Sequence, residues 1–294
     1  MKYKIGIVGA GGMVGGAVAK VFPDAILYDP PKGIGSIDEL NKADVVFICV
    51  PTPYTKDGCD TSLVEESLKI LKPKIESDPC AEVPEDLHIE VPKIVVIKST
   101  VIPGTTNRLQ AEFPQHKILF NPEFLTEETA DQDMKYPERQ IIGYTDKSYN
   151  VARDIMKILP LATEEHIVPS YVAEFAKYAC NSWFATKVAK NNELYDIFTA
   201  YGGNDEQFEK MIDCISTDRR IGRSHLKIWH KGYRGFGDET SSKCLPKDLK
   251  AFIKFANDIG VETPISTQTS KYNEKLWEKS KQGYEEYKKL SPKK

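Results

Sequence analysis

The sequence predicts an α/β protein in which a doubly wound parallel sheet is followed by an all-α domain. Two runs, at residues 45–50 and 94–97, are continuously apolar and rich in β-branched side chains, which is typical of strands buried on both faces. Such runs alternate with amphipathic segments over residues 1–168, and strand–helix alternation indicates parallel pairing. After Pro169 the strand pattern stops, so we place the domain boundary there.

Seven candidate strands belong to the first domain. They are predicted at residues 4–9, 25–28, 44–50, 93–98, 117–120, 140–143 and 166–168. Helical patterns lie between them at 62–71 and 149–159. The stretch 76–90 is acidic and contains proline, so we interpret it as a surface insertion.

The second domain, residues 169–287, is predicted to be helical. Residues 171–200 contain neither proline nor glycine and form one long predicted helix. Apolar side chains recur on it at helical spacing and suit a core or a dimer interface: Val172, Phe175, Ala179 and Trp183. Further helices are predicted at 205–216, 246–259 and 265–287, with a basic tail at 288–294.

Composition excludes several classes of protein. The 294 residues include 40 basic and 43 acidic side chains, a formal net charge of −3, which gives no electrostatic footprint for nucleic acid or an anionic membrane surface. No apolar run approaches the ~18 residues of a membrane span, and the N-terminus has no room for the apolar core of a signal peptide. The six cysteines form no CxxC pair and the five histidines do not cluster, so neither a metal site nor a disulfide scaffold is expected. A cytoplasmic location is predicted.

A glycine-rich turn follows the first predicted strand. Gly9 and Gly11 stand between that strand and a helical segment, the context in which backbone N–H groups bind a pyrophosphate. A third glycine, Gly15, comes one position later than the strict GxGxxG spacing. Asp29 closes the second predicted strand, where an acid accepts from a ribose 2′-hydroxyl and favours NAD over NADP. The sequence therefore predicts a Rossmann-like NAD site that also includes Gly12, Met13 and Val14.

A second group of residues indicates oxidation chemistry. Cys244 stands just before Pro246, and proline is favoured in the first turn of a helix. Thiols at helix N-termini are activated as nucleophiles. Asp248 shares that predicted helix face, and Lys177 and Asn181 share a face of the long predicted helix.

Two glutamates extend this group. Glu123 and Glu127 are four residues apart and would present two carboxylates to one site if their segment is helical. A thiol, a lysine and carboxylates beside NAD suit oxidation of an alcohol past the aldehyde to the acid, whereas an ordinary alcohol dehydrogenase needs no cysteine nucleophile. Each residue also has a purely structural interpretation, as a buried thiol, a solvated lysine or a surface acid.

Six segments together resemble the UDP-glucose/GDP-mannose dehydrogenase family. They are CVPTP at 49–53, KSTVIPGT at 98–105, NPEFLTE at 121–127, AEFAKYACN at 173–181, DRRIG at 218–222, and GFG at 235–237 followed by CLPKD at 244–248. The resemblance extends from residue 3 to about residue 275 and rests on the order and number of the segments.

The resemblance implies a four-electron oxidation of a nucleotide sugar, with UDP-glucose converted to UDP-glucuronate as the leading case. The C6 alcohol loses a first hydride to NAD while Lys177 and Asp248 hold a base or a water molecule. Cys244 then adds to the aldehyde as a thiohemiacetal, and a second hydride transfer leaves a thioester. Asn181, together with Lys177, stabilises the oxyanions.

The resemblance also implies which residues hydrolyse the thioester and which bind NAD and the nucleotide sugar. Thr100 and one of Glu123 or Glu127 would position the water, and the choice between the two glutamates stays open. Further cofactor contacts are implied for Val50, Pro51, Thr52, Ser99, Thr100 and Glu127. Sugar-nucleotide contacts are implied for Phe124, Leu125, Thr126, Lys177, Asn181, Arg220, Gly235, Phe236 and Gly237. In the family the arginine matching Arg220 reaches a neighbouring subunit's sugar site, so a homodimer around the long helix is expected.

The sequence departs from the family pattern near its end. Residues 238–243 lengthen the loop before Cys244 by a few residues, which bears on the identity of the sugar. The family continues past the central helix into a third domain that holds much of the nucleotide, whereas this sequence stops at Lys294. The connection from Asp29 to Ser36 is also short. We interpret the chain as a compact enzyme or a remnant of one.

Three hypotheses follow from the sequence. The first is an NAD-dependent nucleotide-sugar 6-dehydrogenase. The second is a two-electron dehydrogenase of a smaller hydroxy acid or sugar, which the missing domain would allow. The third is a non-catalytic NAD-binding partner subunit, which the lengthened loop would allow.

Overall fold

A computed structural model describes residues 3–77, 88–242 and 244–290 and divides the chain into two units. The first comprises Met1–Thr55 and Cys59–Lys177, and the second comprises Lys56–Gly58 and Tyr178–Lys294. Most of the predicted insertion, including Cys80, lies outside the described residues, as do Lys243 and the last four residues of the predicted tail.

The strands that precede the long helix alternate with short helices. The strands are β1 (Ile5–Val8), β2 (Ile26–Tyr28), β3 (Val45–Ile48), β4 (Tyr54–Thr55), β5 (Gly58–Cys59), β6 (Lys74–Ser77), β7 (His88–Val91), β8 (Ile94–Ile97), β9 (Lys117–Phe120), β10 (Arg139–Tyr144) and β11 (Glu164–Pro169). The helices are α1 (Met13–Val21), α2 (Ile37–Leu40), α3 (Ser62–Lys69), α4 (Thr105–Glu112), α5 (Ala130–Lys135) and α6 (Tyr149–Ile158).

A seven-stranded sheet forms the centre of the first unit, in the order β11-β10-β9-β8-β3-β1-β2. Its members coincide with the seven predicted strands, which confirms the α/β fold class. Pairing is parallel throughout except between β9 and β10. The chain leaves β1 for β2 on one side and returns to β3 on the other, so β1 and β3 flank a topological switch point, where open α/β sheets bind ligands.

The central strands are buried on both faces, as their continuous apolar runs predict. Successive side chains of a strand point to opposite faces of a sheet. Val45 and Phe47 therefore belong to the core cluster that includes α1 and α6 residues, while Val46 and Ile48 belong to the cluster that includes α3 and α4 residues. The sheet thus has helices packed on both sides, which makes the first unit doubly wound.

A long helix, α7 (Ser170–Ala200), starts in the first unit and is fixed there by a buried acid. Glu174 is fully buried, and its carboxylate accepts hydrogen bonds from the N–H of Gly104 (2.6 Å), the N–H of Thr106 (2.8 Å) and the Thr106 hydroxyl (2.6 Å). These donors lie at the N-terminus of α4, where an acceptor is favourable. Burial raises the pKa of Glu174 even though these donors lower it.

The second unit is mainly helical, as predicted. Beyond α7 it contains α8 (Asp205–Ser216), β12 (Trp229–His230), β13 (Tyr233–Arg234), α9 (Leu245–Asp258) and α10 (Pro264–Leu290). One apolar cluster joins Val188 of α7 to Leu249 of α9. The predicted division at residue 168 stays a prediction; the assignment to the two units changes between Lys177 and Tyr178. Within the described part of the chain, no helix is long and apolar enough to cross a bilayer.

Candidate dinucleotide and catalytic sites

The glycine-rich turn follows β1 directly and leads into α1. Gly9 has a φ of +77°, and a Cβ there would lie 2.6 Å from the Cys49 carbonyl oxygen, so a larger residue does not fit. The Gly9 N–H donates to the Tyr28 carbonyl oxygen at 2.8 Å, and the Gly12 N–H donates to the Gly9 carbonyl oxygen at 3.0 Å. The turn therefore presents bare backbone at the N-terminus of α1, as a pyrophosphate requires.

Gly15 serves as the third glycine in spite of its shifted position. A Cβ on Gly15 would lie 2.2 Å from the Gly9 carbonyl oxygen, so only glycine lets α1 pack this closely on the turn. This close helix–turn packing is the role of the third glycine in dinucleotide-binding folds. The one-residue displacement in sequence thus leaves the geometry of the motif intact.

Asp29 completes the features expected of an NAD site. It directly follows β2, is 8% exposed, and its Oδ2 accepts from the Gly11 N–H at 2.9 Å. The carboxylate therefore stands beside the second glycine of the turn, where an acid binds the ribose hydroxyls of NAD. The residues present fit the cofactor that the sequence predicts.

A cleft of about 690 Å³ opens beside the glycine turn within the first unit. This volume lies in the range of small-molecule sites, roughly 300–1,000 Å³. Its lining includes Gly12, Met13, Lys20, Glu127, Asp131 and Tyr136. Glu127 is exposed and borders the cleft, and its contact with the cofactor stays a prediction.

Glu123 and Lys177 form a buried ion pair. Lys177 Nζ donates to Glu123 Oε1 at 3.0 Å and to the Glu123 carbonyl oxygen at 2.6 Å, and the side chains are only 8% and 5% exposed. Burial raises the pKa of Glu123, but Lys177, the Leu125 N–H and Lys98 together hold that pKa below its ordinary value. Glu123 is thereby kept ionised in a site with little water.

The two predicted glutamates do not share a helix face. Residues 121–126 have irregular backbone and a turn follows, so the hypothesis of a helical segment is wrong. Glu123 Oε2 accepts instead from the Leu125 N–H at 2.7 Å. Glu123 is therefore buried against Lys177, while Glu127 faces the cleft.

The loops after β3 and β8 are tied together at the carboxyl edge of the sheet. Thr52 Oγ1 donates to the Thr100 carbonyl oxygen at 2.7 Å, and Ser99 Oγ donates to the Val50 carbonyl oxygen at 2.6 Å. Thr100 is itself 8% exposed. These two loops contain the residues predicted to contact the cofactor and to position water. Hydrogen bonds connect the loops at the carboxyl end of the sheet, beside β1, the strand that precedes the glycine turn.

Lys98 is a buried residue that the sequence analysis did not single out. Its Nζ donates to Asn121 Oδ1 at 2.5 Å, and Asn121 Nδ2 donates to the Ile141 carbonyl oxygen at 2.8 Å. Burial lowers the pKa of Lys98 to about 8, and burial raises the pKa of the neighbouring Cys49 thiol to about 12. In the sequence, the buried pair of Lys98 and Asn121 was indicated only by their positions, because each is the first residue of one of the six segments that resemble the family.

Phe124 and Thr126 each contact side chains that fix their position. The Phe124 ring lies under the Arg139 guanidinium, 3.9 Å from its centroid, and Lys177 Nζ lies 5.2 Å from the same centroid. Asp133 Oδ2 accepts from the Thr126 N–H at 2.9 Å and from its hydroxyl at 3.1 Å. The loop with Leu125 is therefore a fixed surface, and its sugar-binding role stays a prediction.

In the second unit, Cys244 is the N-cap residue of α9 and Pro246 lies in the first turn, as predicted. Asp248 is 2% exposed, and its Oδ2 accepts from Asn181 Nδ2 at 2.6 Å. Its Oδ1 accepts from Lys247 Nζ at 2.5 Å, a partner that was not predicted. Asp248 and Asn181 are thus in direct contact, and their catalytic roles stay predictions.

The GFG segment is a turn held by α10. Gly235 and Gly237 have φ values of +78° and +72°. Asn273 accepts from the Phe236 N–H at 2.8 Å and donates to the Gly237 carbonyl oxygen at 2.7 Å. The Phe236 side chain packs in the core cluster with Leu249, so only the backbone of this segment remains for a ligand.

Arg220 and the lengthened loop lie at the surface of the second unit. Arg220 is 90% exposed and pairs with Asp218 at 2.7 Å, so its predicted reach towards another subunit is sterically open. Asp238 Oδ1 accepts from the N–H groups of Thr240 (2.9 Å) and Ser241 (3.1 Å). The extra residues 238–242 therefore form an ordered turn.

We expect Gly15→Ala to weaken NAD binding by about tenfold or more and to lower stability by about 1–3 kcal/mol. The added methyl group would lie 2.2 Å from the Gly9 carbonyl oxygen. To relieve this clash, the backbone of the glycine turn or of α1 would have to shift, which costs free energy. Calorimetric titration with NAD and urea unfolding measure the two effects. Gly16→Ala is the control for stability, because its Cβ would lie 3.6 Å from the nearest atom outside its own helix turn. Unchanged NAD affinity in Gly15→Ala would contradict the assignment of the turn.

Two family models match the chain. Residues 35–159 match the NAD binding domain of the UDP-glucose/GDP-mannose dehydrogenase family, and residues 171–275 match the central domain of the same family. The first match confirms the expected NAD-binding domain. The two matches cover most of both units and occur in the order that the six sequence segments predict.

Relatives and solved structures agree with these matches. A UDP-glucose 6-dehydrogenase from Rickettsia felis is 33% identical over 242 residues, 80% of this chain and 49% of that protein. A GDP-mannose 6-dehydrogenase from Pseudomonas aeruginosa is 30% identical over 237 residues, 76% of this chain and 49% of that protein. The structure of a UDP-glucose dehydrogenase from Pyrobaculum islandicum has a TM-score of 0.72 at 25% identity and covers 94% of this chain and 68% of that one.

The chain spans about half the length of the curated relatives it matches. The relatives are named as dehydrogenases of different nucleotide sugars. The resemblance that six short segments indicate is nevertheless confirmed over both units. The chain belongs to the UDP-glucose/GDP-mannose dehydrogenase family.

Proposed function

We propose that the chain is an NAD-dependent nucleotide-sugar 6-dehydrogenase that oxidises UDP-glucose to UDP-glucuronate with Cys244 as nucleophile. One observation carries the proposal. Lys177 and Asn181, one turn apart on α7, each bind a buried carboxylate, Glu123 and Asp248 respectively. Buried acids that are paired with polar donors and adjoin a predicted cofactor site are candidates for an active site.

The first oxidation requires a base and stabilisation of the alkoxide. NAD, when bound, supplies the hydride acceptor. Asp248, with its two oxygens fixed by Asn181 and Lys247, would hold a water molecule that takes the hydroxyl proton. The ammonium of Lys177 would stabilise the negative charge that develops on the sugar oxygen.

The second oxidation requires a covalent intermediate. The Cys244 thiolate would add to the aldehyde carbon, and the resulting thiohemiacetal would lose its hydroxyl proton and give up the second hydride to a second molecule of NAD, which leaves a thioester. Water then attacks the thioester carbon and the thiolate leaves. Of the two glutamates that the sequence left open, we assign Glu123 as the base for this water, since Lys177 keeps it ionised, and we assign Glu127 to the cofactor cleft.

We also propose a homodimer that uses α7. The predicted apolar stripe is exposed on this helix: Val172 is 38%, Phe175 40% and Trp183 74% exposed. Large apolar side chains in a continuous row on one surface are typical of an interaction site. A cytoplasmic location stays a prediction.

The test is a screen of nucleotide sugars that measures NADH formed per sugar consumed. The expected result is turnover of UDP-glucose with two NADH per molecule and uronate as product; GDP-mannose, a substrate type of the relatives, is the comparison. One NADH per substrate would favour the two-electron dehydrogenase of a smaller alcohol. NAD binding without turnover of any nucleotide sugar would favour a binding subunit and contradict the proposal.

A further inference from the structure

Lys98 is a buried lysine that the proposed mechanism does not use, and its side chain continues the pairing of β8 and β9. The two strands are parallel, and at their carboxyl ends the Asn121 N–H donates to the Ile97 carbonyl oxygen at 2.8 Å. Just beyond this backbone bond, Lys98 Nζ donates to Asn121 Oδ1 at 2.5 Å. Lys98 is 3% exposed and Asn121 is fully buried. The side-chain bond therefore fixes the separation of the two segments where their strands end.

Asn121 extends the same connection to a third strand. Its Nδ2 donates to the Ile141 carbonyl oxygen at 2.8 Å and to Gln140 Oε1 at 3.2 Å, both at the start of β10. Loss of one partner from a buried hydrogen bond leaves the other with an unsatisfied polar group, which costs free energy. Lys98 and Asn121 thus join β8, β9 and β10 at one edge of the sheet.

The two segments that this bond joins carry the groups proposed for thioester hydrolysis. Thr100 follows Lys98 by two residues, and Glu123 follows Asn121 by two residues. A base must lie within hydrogen-bond reach of the water that it activates, roughly 2.6–3.2 Å, and a group that positions the same water must reach it as well. The contact between Lys98 and Asn121 is therefore placed where it sets the separation of Thr100 and Glu123.

Lys98 also shares its surroundings with the charge of Glu123. The titratable groups that act on Lys98 are Cys49, directly after β3, Glu123, after β9, and Lys177, on α7. The pKa of Lys98 is lowered to about 8, chiefly by burial, with Lys177 acting in the same direction and Cys49 and Glu123 against it. Lys98 is therefore mostly protonated at pH 7, and its charge in turn lowers the pKa of Glu123. Two cations thus favour the ionised form of this carboxylate.

We propose that Lys98 is a positioning residue for thioester hydrolysis, which fixes the segments of Thr100 and Glu123 through Asn121 and adds a second positive charge beside Glu123. The inference rests on the proposed function, because it concerns the step in which Glu123 activates water. In that step the water oxygen bonds to the thioester carbon, Glu123 takes the water proton, and the Cys244 thiolate leaves. Lys98 makes no bond to the substrate and acts through the geometry and charge of Glu123.

The test separates hydrolysis from hydride transfer by rapid-mixing and steady-state assays with UDP-glucose and NAD. In Lys98→Met we expect each chain to form its first two NADH within about threefold of the unmodified rate, whereas kcat for uronate falls by about tenfold or more. The value of kcat/KM should stay within about threefold, because hydrolysis follows the steps that it reports. The acid limb of the kcat profile should move to higher pH, since loss of a cation raises the pKa of Glu123.

Two further variants separate this role from a general loss of packing. Lys98→Gln keeps an N–H donor for Asn121 without the charge, so kcat should partly recover relative to Lys98→Met while the acid limb stays raised. The matched control is Lys93→Met, because Lys93 is a second buried lysine, 1% exposed, directly before β8. Its Nζ donates to the carbonyl oxygens of Asn41 at 2.7 Å and Ala43 at 2.6 Å. Lys93→Met should lower stability but leave the acid limb in place and kcat within about threefold.

A measurement without substrate distinguishes failure of the inference from failure of the proposed function. The destabilisation by Lys98→Met, measured by urea unfolding, should grow as pH rises from about 3 to 6, because the variant loses a charge that favours ionised Glu123. It should not grow in a Glu123→Gln background. Equal loss of first-turnover and steady-state rates, or pH profiles like those of Lys93→Met, would overturn the inference. Absence of uronate from the unmodified chain would contradict the proposed function, and the unfolding profiles would still decide whether Lys98 controls the charge of Glu123.

Discussion

Replacing Cys244 by serine is expected to reduce uronate formation from UDP-glucose by about a thousandfold or more, a loss of about 4 kcal/mol of transition-state stabilisation. Cys244 caps the N-terminus of α9, and a thiol is the nucleophile that the acyl intermediate needs. Serine preserves the size of the side chain but is a weak nucleophile without its own base. Separate measurement of NADH and uronate over time shows which of the two oxidations is lost.

The matched control is Cys214→Ser. Cys214 is an exposed cysteine on α8, so its loss removes a thiol without touching the proposed chemistry, and activity should stay within about twofold. NAD affinity should be unchanged in both variants, because the glycine turn belongs to the first unit. Uronate formation by Cys244→Ser above a tenth of the unmodified rate would exclude Cys244 as the nucleophile.

The central strands of the sheet were predictable because they are buried on both faces. A strand such as β3, whose four residues are fully buried, has no polar alternation and reads as a continuous apolar run. The hairpins formed by β4–β5 and β12–β13 were not predicted, since strands of two residues are too short to show any periodicity. Their existence depends on turns and tertiary contacts.

The candidate site was predictable where a role depends on local sequence. The glycine turn, Asp29 and the cap at Cys244 each follow from spacing along one segment. By contrast, the GFG turn is held by Asn273, which lies in a helix that begins 27 residues later, at Pro264. No local sequence pattern predicts a contact between such distant segments. The Glu123–Glu127 helix was suggested by spacing alone, whereas Glu123 is positioned by its contacts with the Leu125 N–H and with Lys177, which spacing does not show.

Replacing Lys177 by methionine is expected to destabilise the chain by about 3–5 kcal/mol at neutral pH, because it leaves a buried carboxylate without its partner. Glu123 is 8% exposed, and Lys177 is the first of the groups that lower its pKa against the opposing effect of burial. Urea unfolding measures the loss. The control is the double variant Lys177→Met/Glu123→Gln, which removes both charges and should recover at least about 1 kcal/mol of it.

The pH dependence of these variants distinguishes a broken ion pair from a packing defect. In the unmodified chain the pKa of Glu123 is lowered on folding, so its contribution to stability is present above the unfolded pKa of about 4.3 and is lost as pH falls through the folded pKa. In Lys177→Met, burial is opposed mainly by Lys98 and the Leu125 N–H, and we expect the folded pKa to rise above 4.3. The native state then binds more protons than the unfolded state, so the stability of this variant should fall as pH rises from about 4 to 6.

The double variant should not show that fall, since glutamine does not titrate. A loss in Lys177→Met that is independent of pH and equal in the double variant would mean that the methionine fails to pack and that the ion pair contributes little. A loss that grows with pH and is partly restored by Glu123→Gln would show that Lys177 keeps an ionised carboxylate inside the protein. That is the condition Glu123 must meet to accept a proton from the hydrolytic water, so this measurement on folding tests the assignment of the base without any substrate.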